Sequence, residues 1–129
     1  MADLKFQIRF HSVFNVCVKV MQMFDFRIKL ESVFKKNKFE GIINLAAQAG
    51  VRYSLINPKS YIDNNIIGTC NVVKACKKLK IKLIYLSTSY VYPGLKGNYK
   101  ETSPLLPYNN YAWSKLGGEC AVQMYANSL

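Results

Sequence analysis

Apolar residues recur along this chain with two different periods, and the change of period marks out its elements. Gly41-Ile-Ile-Asn-Leu-Ala-Ala-Gln-Ala-Gly50 is an apolar run that ends in small residues. Ile81-Lys-Leu-Ile-Tyr-Leu-Ser-Thr-Ser89 is a second run, rich in β-formers and closed by three consecutive hydroxyl side chains. Short apolar runs of this kind read as strands, the second as a buried one. Between them, from Pro58 to Leu79, a row runs through Ile62, Ile66, Thr69, Val73 and Cys76, with another through Val72 and Leu79. That spacing is helical. Upstream, Phe6, Ile8 and Phe10, then Val16, Val18 and Val20, alternate with polar residues, a pattern that favours strands.

Strand, helix, strand and helix in so short a compass imply a right-handed crossover and a parallel sheet. Ligands of open parallel sheets sit outside the carboxyl ends of the strands. The small residues after the first run and the hydroxyls after the second therefore point into one crevice. The expected fold is α/β, a partial Rossmann-like, doubly wound parallel sheet, with residues 1–129 forming a single partial nucleotide-binding domain.

Tyr111-Ala-Trp-Ser-Lys115 adds chemistry to this frame. Residues four apart share a helix face, so a lysine ammonium can stand roughly 5 Å from a phenol oxygen. At an effective dielectric of about 20 that charge favours the phenolate by roughly 3 kcal/mol, or about two pKa units. The same two residue types also recur at this spacing as a plain surface pair; the hydroxylated strand end and the small-residue strand end set this pair apart.

Taken in order, these motifs resemble the extended short-chain dehydrogenase/reductases that act on nucleotide sugars, the NAD-dependent epimerase/dehydratase family. Leu45-Ala-Ala-Gln-Ala-Gly-Val-Arg-Tyr-Ser54 with Tyr61-Ile-Asp-Asn-Asn65 is especially similar to UDP-glucuronate 4-epimerases. Ser87-Thr-Ser-Tyr-Val-Tyr-Pro-Gly94 and Trp113-Ser-Lys-Leu-Gly-Gly-Glu119 lean toward dTDP-4-dehydrorhamnose reductase-like enzymes. The resemblance implies that Tyr111 is the catalytic acid/base, that Lys115 lowers its pKa and holds the nicotinamide ribose, and that Thr88 bonds the sugar hydroxyl or keto oxygen. It further implies that Leu45, Ala46 and Ala47 pass along the dinucleotide, that Asn64 bonds it from the crossover helix, and that Asp25, at a strand end, contacts the adenine. The implied cofactor is NAD, with NADP open, and the implied partner is a nucleotide-sugar substrate. A dehydratase of this family would carry acidic residues directly after Thr88, where this chain has Ser89 and Tyr90.

Several of these residues also have plainer readings. Asn64 also suits a polar position near a helix start, Arg52 suits either a substrate anion or a solvent-facing loop, and Trp113 and Tyr125 suit packing. The lysine clusters at Lys35, Lys36 and Lys38, and from Lys74 to Lys82, read as solvated faces.

The chain also departs from the family. Its first glycine is Gly41, so the Gly-x-x-Gly-x-x-Gly loop that holds a pyrophosphate at a helix N-terminus is absent upstream of it, and residues 1–24 read as a divergent or replaced segment. Nor does the chain extend far past Lys115, where the family has its substrate domain. Loss of the glycine loop is expected to weaken cofactor binding. Three readings stay open: a truncated nucleotide-sugar epimerase, a nucleotide-sugar reductase, or an inactive fragment acting only through association.

Composition narrows the remaining classes. With 129 residues, half of them hydrophobic, one core is feasible. The formal net charge of +11 is compatible with nucleic acid, but no nucleic-acid motif accompanies it, and it also suits anionic nucleotide sugars. Four cysteines, Cys17, Cys70, Cys76 and Cys120, and the single His11 have neither metal-ligand nor disulfide spacing, so no metal and a reducing cytoplasmic location are expected. No segment has the length or apolarity of a membrane span or the form of a signal peptide. Parallel sheets are stable when both faces are covered. This length falls short of that, so an exposed strand edge or face is expected, with association to a copy of itself or to another chain.

Overall fold

In the computed structural model, residues 24–37, 39–94 and 98–127 are described. The alternating segments at Phe6–Phe10 and Val16–Val20, together with His11 and Cys17, lie outside the described residues. Helix α1 spans Phe24–Asn37 and leads into strand β1, Gly41–Asn44. Two short helices follow, α2 (Val51–Ile56) and α3 (Pro58–Tyr61). The chain then widens into a π-helical turn at Ile62–Ile67 before continuing as α4, Gly68–Leu79. Strand β2 spans Lys82–Tyr85, a 3-10 turn covers Ser89–Val91, and α5 spans Asn110–Ala126.

β1 and β2 pair in parallel, Gly41 to Lys82 through Asn44 to Tyr85, so their carboxyl ends open on one edge. The Leu86 N–H donates to the Asn44 carbonyl at 3.2 Å and carries the ladder one step past the strands. The crossover returns tightly: Lys80 takes a left-handed conformation (φ 55°), and the Ile81 N–H donates back to the Cys76 carbonyl at 2.9 Å. That is a Schellman-type end, reached without the usual glycine.

The core joins Leu30 and Phe34 of α1, Ile42 of β1, and Val72, Ala75 and Cys76 of α4, with Phe39, Leu79, Ile81 and Leu83 packed around it. Phe34 meets Phe39 edge to face at 6.1 Å. α4 packs against both α1 and α5.

The structure corrects three expectations of detail. β2 is not buried: Lys82, Ile84 and Leu86 are exposed, because the described helices cover the Leu83 side of the sheet and leave the Ile84 side open. The buried helical row does not begin Ile62, Ile66. It runs through Tyr61, Asn65 and Thr69, and Ile62 and Ile67 are exposed, because the polar groups of Tyr61 and Asn65 find partners inside. Asp25 is not at a strand end. Its backbone is the second residue of α1, a position where an acidic residue is favourable to the helix dipole.

Candidate active site

Three segments lie at the carboxyl edge of the sheet. Past β1, Leu45 and Ala47 are exposed and Ala46 half-buried, and the Asn44 side chain accepts the Ala46 N–H at 3.2 Å to turn the backbone out of the strand. Past β2, Thr88 caps the 3-10 turn and accepts the Tyr90 N–H at 3.4 Å. The third segment is the start of α5, where the Asn109 side chain accepts the Ala112 N–H at 2.8 Å. This N-cap starts the helix in the register that sets Tyr111 and Lys115 on one face, one turn apart.

Lys115 is 2% exposed. Its Nζ donates to the Leu86 carbonyl at 2.7 Å and lies 4.2 Å from the centre of the Tyr85 ring. Burial drives its pKa down from 10.5 to about 8, and Glu119 acts in the opposite direction. Tyr85, whose hydroxyl donates to the Lys115 carbonyl at 3.2 Å, is held neutral by burial, its pKa pushed well above 10. The Tyr111 ring is half-buried between Tyr61, edge-on at 6.3 Å, and Tyr90, edge-on at 6.2 Å.

A network that the sequence pattern did not single out holds these segments together. Asn65, fully buried in the π-helical turn, accepts the Gln48 N–H at 2.7 Å and donates to the Gln48 carbonyl at 3.0 Å. It also donates to Ser114 Oγ at 2.8 Å, and Ser114 donates to the Tyr111 carbonyl at 2.7 Å. Tyr61 Oη bonds the Ala49 carbonyl at 2.8 Å and also reaches that of Gly50. The polar pair Asn64-Asn65 inside a helical pattern was the available signal. It did not show which of the two faces inward. Asn64 is half-buried and donates to the Ser60 carbonyl at 2.7 Å within its own helix.

Thr88 and the Tyr111–Lys115 helix lie on elements that pack together, Leu45, Ala46 and Ala47 follow β1 at the same end of the sheet, and Asn64 lies in the π-helical turn that packs on α5. Asp25 belongs to α1. Trp113, expected to pack, is 56% exposed. Among the described residues no group of three or more metal-ligating side chains occurs, and no helix is long and apolar enough to cross a membrane.

A sequence model of the GDP-mannose 4,6 dehydratase family matches residues 15–129. The chain belongs to this family. It is 38% identical over 98 residues to a UDP-glucuronate 4-epimerase of Thermodesulfobacterium geofontis, covering 74% of this chain and 30% of that protein. To a dTDP-D-glucose 4,6-dehydratase of Dictyostelium discoideum it is 36% identical over 112 residues, 77% of this chain and 26% of the other. Among solved structures, the UDP-glucuronic acid 4-epimerase of Bacillus cereus, in complex with UDP-glucuronic acid and NAD, superposes with a TM-score of 0.71 at 33% identity, over 76% of this chain and 31% of that one. The chain thus spans about a third or less of the length of these family members, and its parallel β1–β2 unit is a portion of their Rossmann-like sheet.

Proposed function

We propose that this chain carries the base-bearing part of an NAD-dependent nucleotide-sugar epimerase. The observation that supports this reading is that Lys115, on the helix of Tyr111, bonds the Leu86 carbonyl just past β2, at the same end of the parallel sheet that Leu45–Ala47 and Thr88 follow. The residues suit a dinucleotide: Leu45 and Ala47 leave backbone open at the strand end, and Leu86 takes one of the three donors of the Lys115 ammonium, so that ribose hydroxyls can take the others. NAD, when bound, supplies a hydride acceptor for the sugar carbon. Thr88, which accepts a backbone N–H, can still donate its hydroxyl proton to the sugar oxygen. Tyr111 as phenolate takes the sugar hydroxyl proton as the carbonyl forms and returns it when the carbonyl is reduced from the opposite face.

Epimerisation is favoured over dehydration because Ser89 and Tyr90 follow Thr88. Neither side chain is a carboxylic acid, whereas loss of water needs a proton delivered to the departing hydroxyl. Reduction of a 4-keto sugar uses the same residues in one direction and is the second reading, motivated by the reductase-like stretch from Ser87 to Glu119.

Titration of the purified chain with NADH, followed by nicotinamide fluorescence, tests the cofactor part. Because no glycine loop precedes Gly41, saturable but weakened binding is the expected result, and no saturable binding sinks the proposal. Turnover with UDP-glucuronate, UDP-glucose and a 4-keto dTDP sugar separates epimerase from reductase. Tyr111→Phe is expected to lower turnover about 100-fold or more; undiminished turnover removes Tyr111 as the base.

A further inference from the structure

Two consecutive residues at the end of β2 grip two residues one turn apart on α5. The Leu86 carbonyl accepts from Lys115 Nζ at 2.7 Å, and the next side chain, Ser87, donates through its hydroxyl to Glu119 Oε1. Glu119 lies four residues after Lys115, on the same helix face. It is half-buried, while Lys115 is 2% exposed. A buried ammonium needs a compensating charge as well as hydrogen bonds, and neither the Leu86 carbonyl nor the Tyr85 ring carries one.

We propose that Glu119, held in place by the Ser87 hydroxyl, is the counter-charge that positions the buried Lys115 ammonium beneath the cleft. The role of that charge toward a ribose rests on the epimerase reading above; the Ser87–Glu119–Lys115 arrangement itself does not. Among the described residues, the groups that face this stretch of α5 leave Glu119 as the acid able to serve. From β2 comes Tyr85, kept neutral by burial. From α5 itself come Tyr111 and Glu119. From the π-helical turn comes the neutral amide of Asn65, bonded to Ser114, and from α4 comes Thr69, beside Tyr85. Burial and Glu119 act on Lys115 in opposite senses, burial being the stronger, so removing Glu119 leaves burial unopposed and the ammonium gives up its proton more readily.

The test needs no cofactor. The full chain is produced with isotopically labelled lysine, and the Lys115 side-chain signal, assigned by its loss in Lys115→Arg, is titrated by NMR from neutral to alkaline pH. Glu119→Gln keeps the shape and an acceptor for Ser87 but removes the charge. It is expected to lower the Lys115 midpoint by about one pH unit, a tenfold change in proton affinity. Ser87→Ala, which frees Glu119 to turn toward solvent, is expected to lower it by a smaller amount in the same direction. An unchanged midpoint in folded Glu119→Gln overturns the proposal. Should that variant not fold, an unchanged midpoint in Ser87→Ala overturns it. NADH titration of the same wild-type sample keeps the two readings apart: a shifted midpoint without cofactor binding supports the counter-charge and sinks the epimerase, and cofactor binding with an unshifted midpoint does the reverse.

Discussion

Asn65 Nδ2 donates to Ser114 Oγ at 2.8 Å, and the same Asn65 amide brackets the Gln48 peptide at 2.7 and 3.0 Å. The loop after β1 and the helix that carries Tyr111 are thereby tied through one buried side chain. The cleft is held in shape by groups distant in sequence.

Replacing Asn65 with leucine retains volume and removes all of these bonds. The half-buried Gln48 N–H and carbonyl then lose their partners, and an unsatisfied buried group costs about 1–3 kcal/mol. We expect Asn65→Leu to lower stability by about 3 kcal/mol in urea unfolding. Asn64→Leu, which loses bonds within its own helix, is expected to cost about 1 kcal/mol. Equal midpoints for the two variants would show that the Asn65 network does not hold the fold.

The adjacent glycines of α5 respond differently to alanine. At Gly118 a Cβ would stand 2.3 Å from the Tyr85 hydroxyl oxygen and 2.9 Å from the Asn65 carbonyl. Overpacking there, at about 1–3 kcal/mol, exceeds the roughly 1 kcal/mol that alanine gains over glycine in a helix. At Gly117 the nearest atom is the tip of the Ile66 side chain, Cδ1 at 2.9 Å, which can rotate away. Gly118→Ala should therefore destabilise by up to about 2 kcal/mol, and Gly117→Ala should stay within about 0.5 kcal/mol of the parent. Combining Tyr85→Phe with Gly118→Ala should recover part of the loss in a thermal unfolding cycle, because the clashing oxygen is gone.

Stability should depend on alkaline pH through Lys115. Its pKa is lowered from 10.5 to about 8 in the folded chain by burial, so between these values the unfolded chain holds the proton more tightly. Stability then rises with pH through this window, by at most about 1.4 kcal/mol per unit; below pH 8 the lysine is charged in both states and contributes no slope. Burial raises the Cys76 thiol from 9.0 to about 11, and this acts in the opposite sense above pH 9, because there the unfolded thiol releases its proton first. The clean interval is thus pH 8 to 9. Urea midpoints are expected to rise across it in the parent, and the rise should vanish in Lys115→Met.

The open side of β2 invites association. Ile84 is 48% exposed and Leu86 55%, and an exposed apolar strand seeks a partner. Sedimentation is expected to show self-association that grows with concentration, and Ile84→Lys should shift the chain toward monomer. A parent chain that sediments as a compact monomer at all concentrations would contradict this.

Local pattern determined much of this protein. The apolar runs at Gly41 and Ile81 specify β1 and β2, and the helical spacing from Pro58 to Leu79 specifies the crossover. The order of the strand-end hydroxyls, the tyrosine and the lysine points to one cleft, because strand direction and helix period are set by neighbouring residues. Tertiary structure alone decided which member of Asn64-Asn65 turns inward, that Lys115 donates to the Leu86 carbonyl, and that Glu119 meets Ser87. Each of these depends on a partner brought from elsewhere in the chain. A buried polar group takes whatever acceptor or donor the packing supplies, and periodicity along the sequence carries no record of that partner.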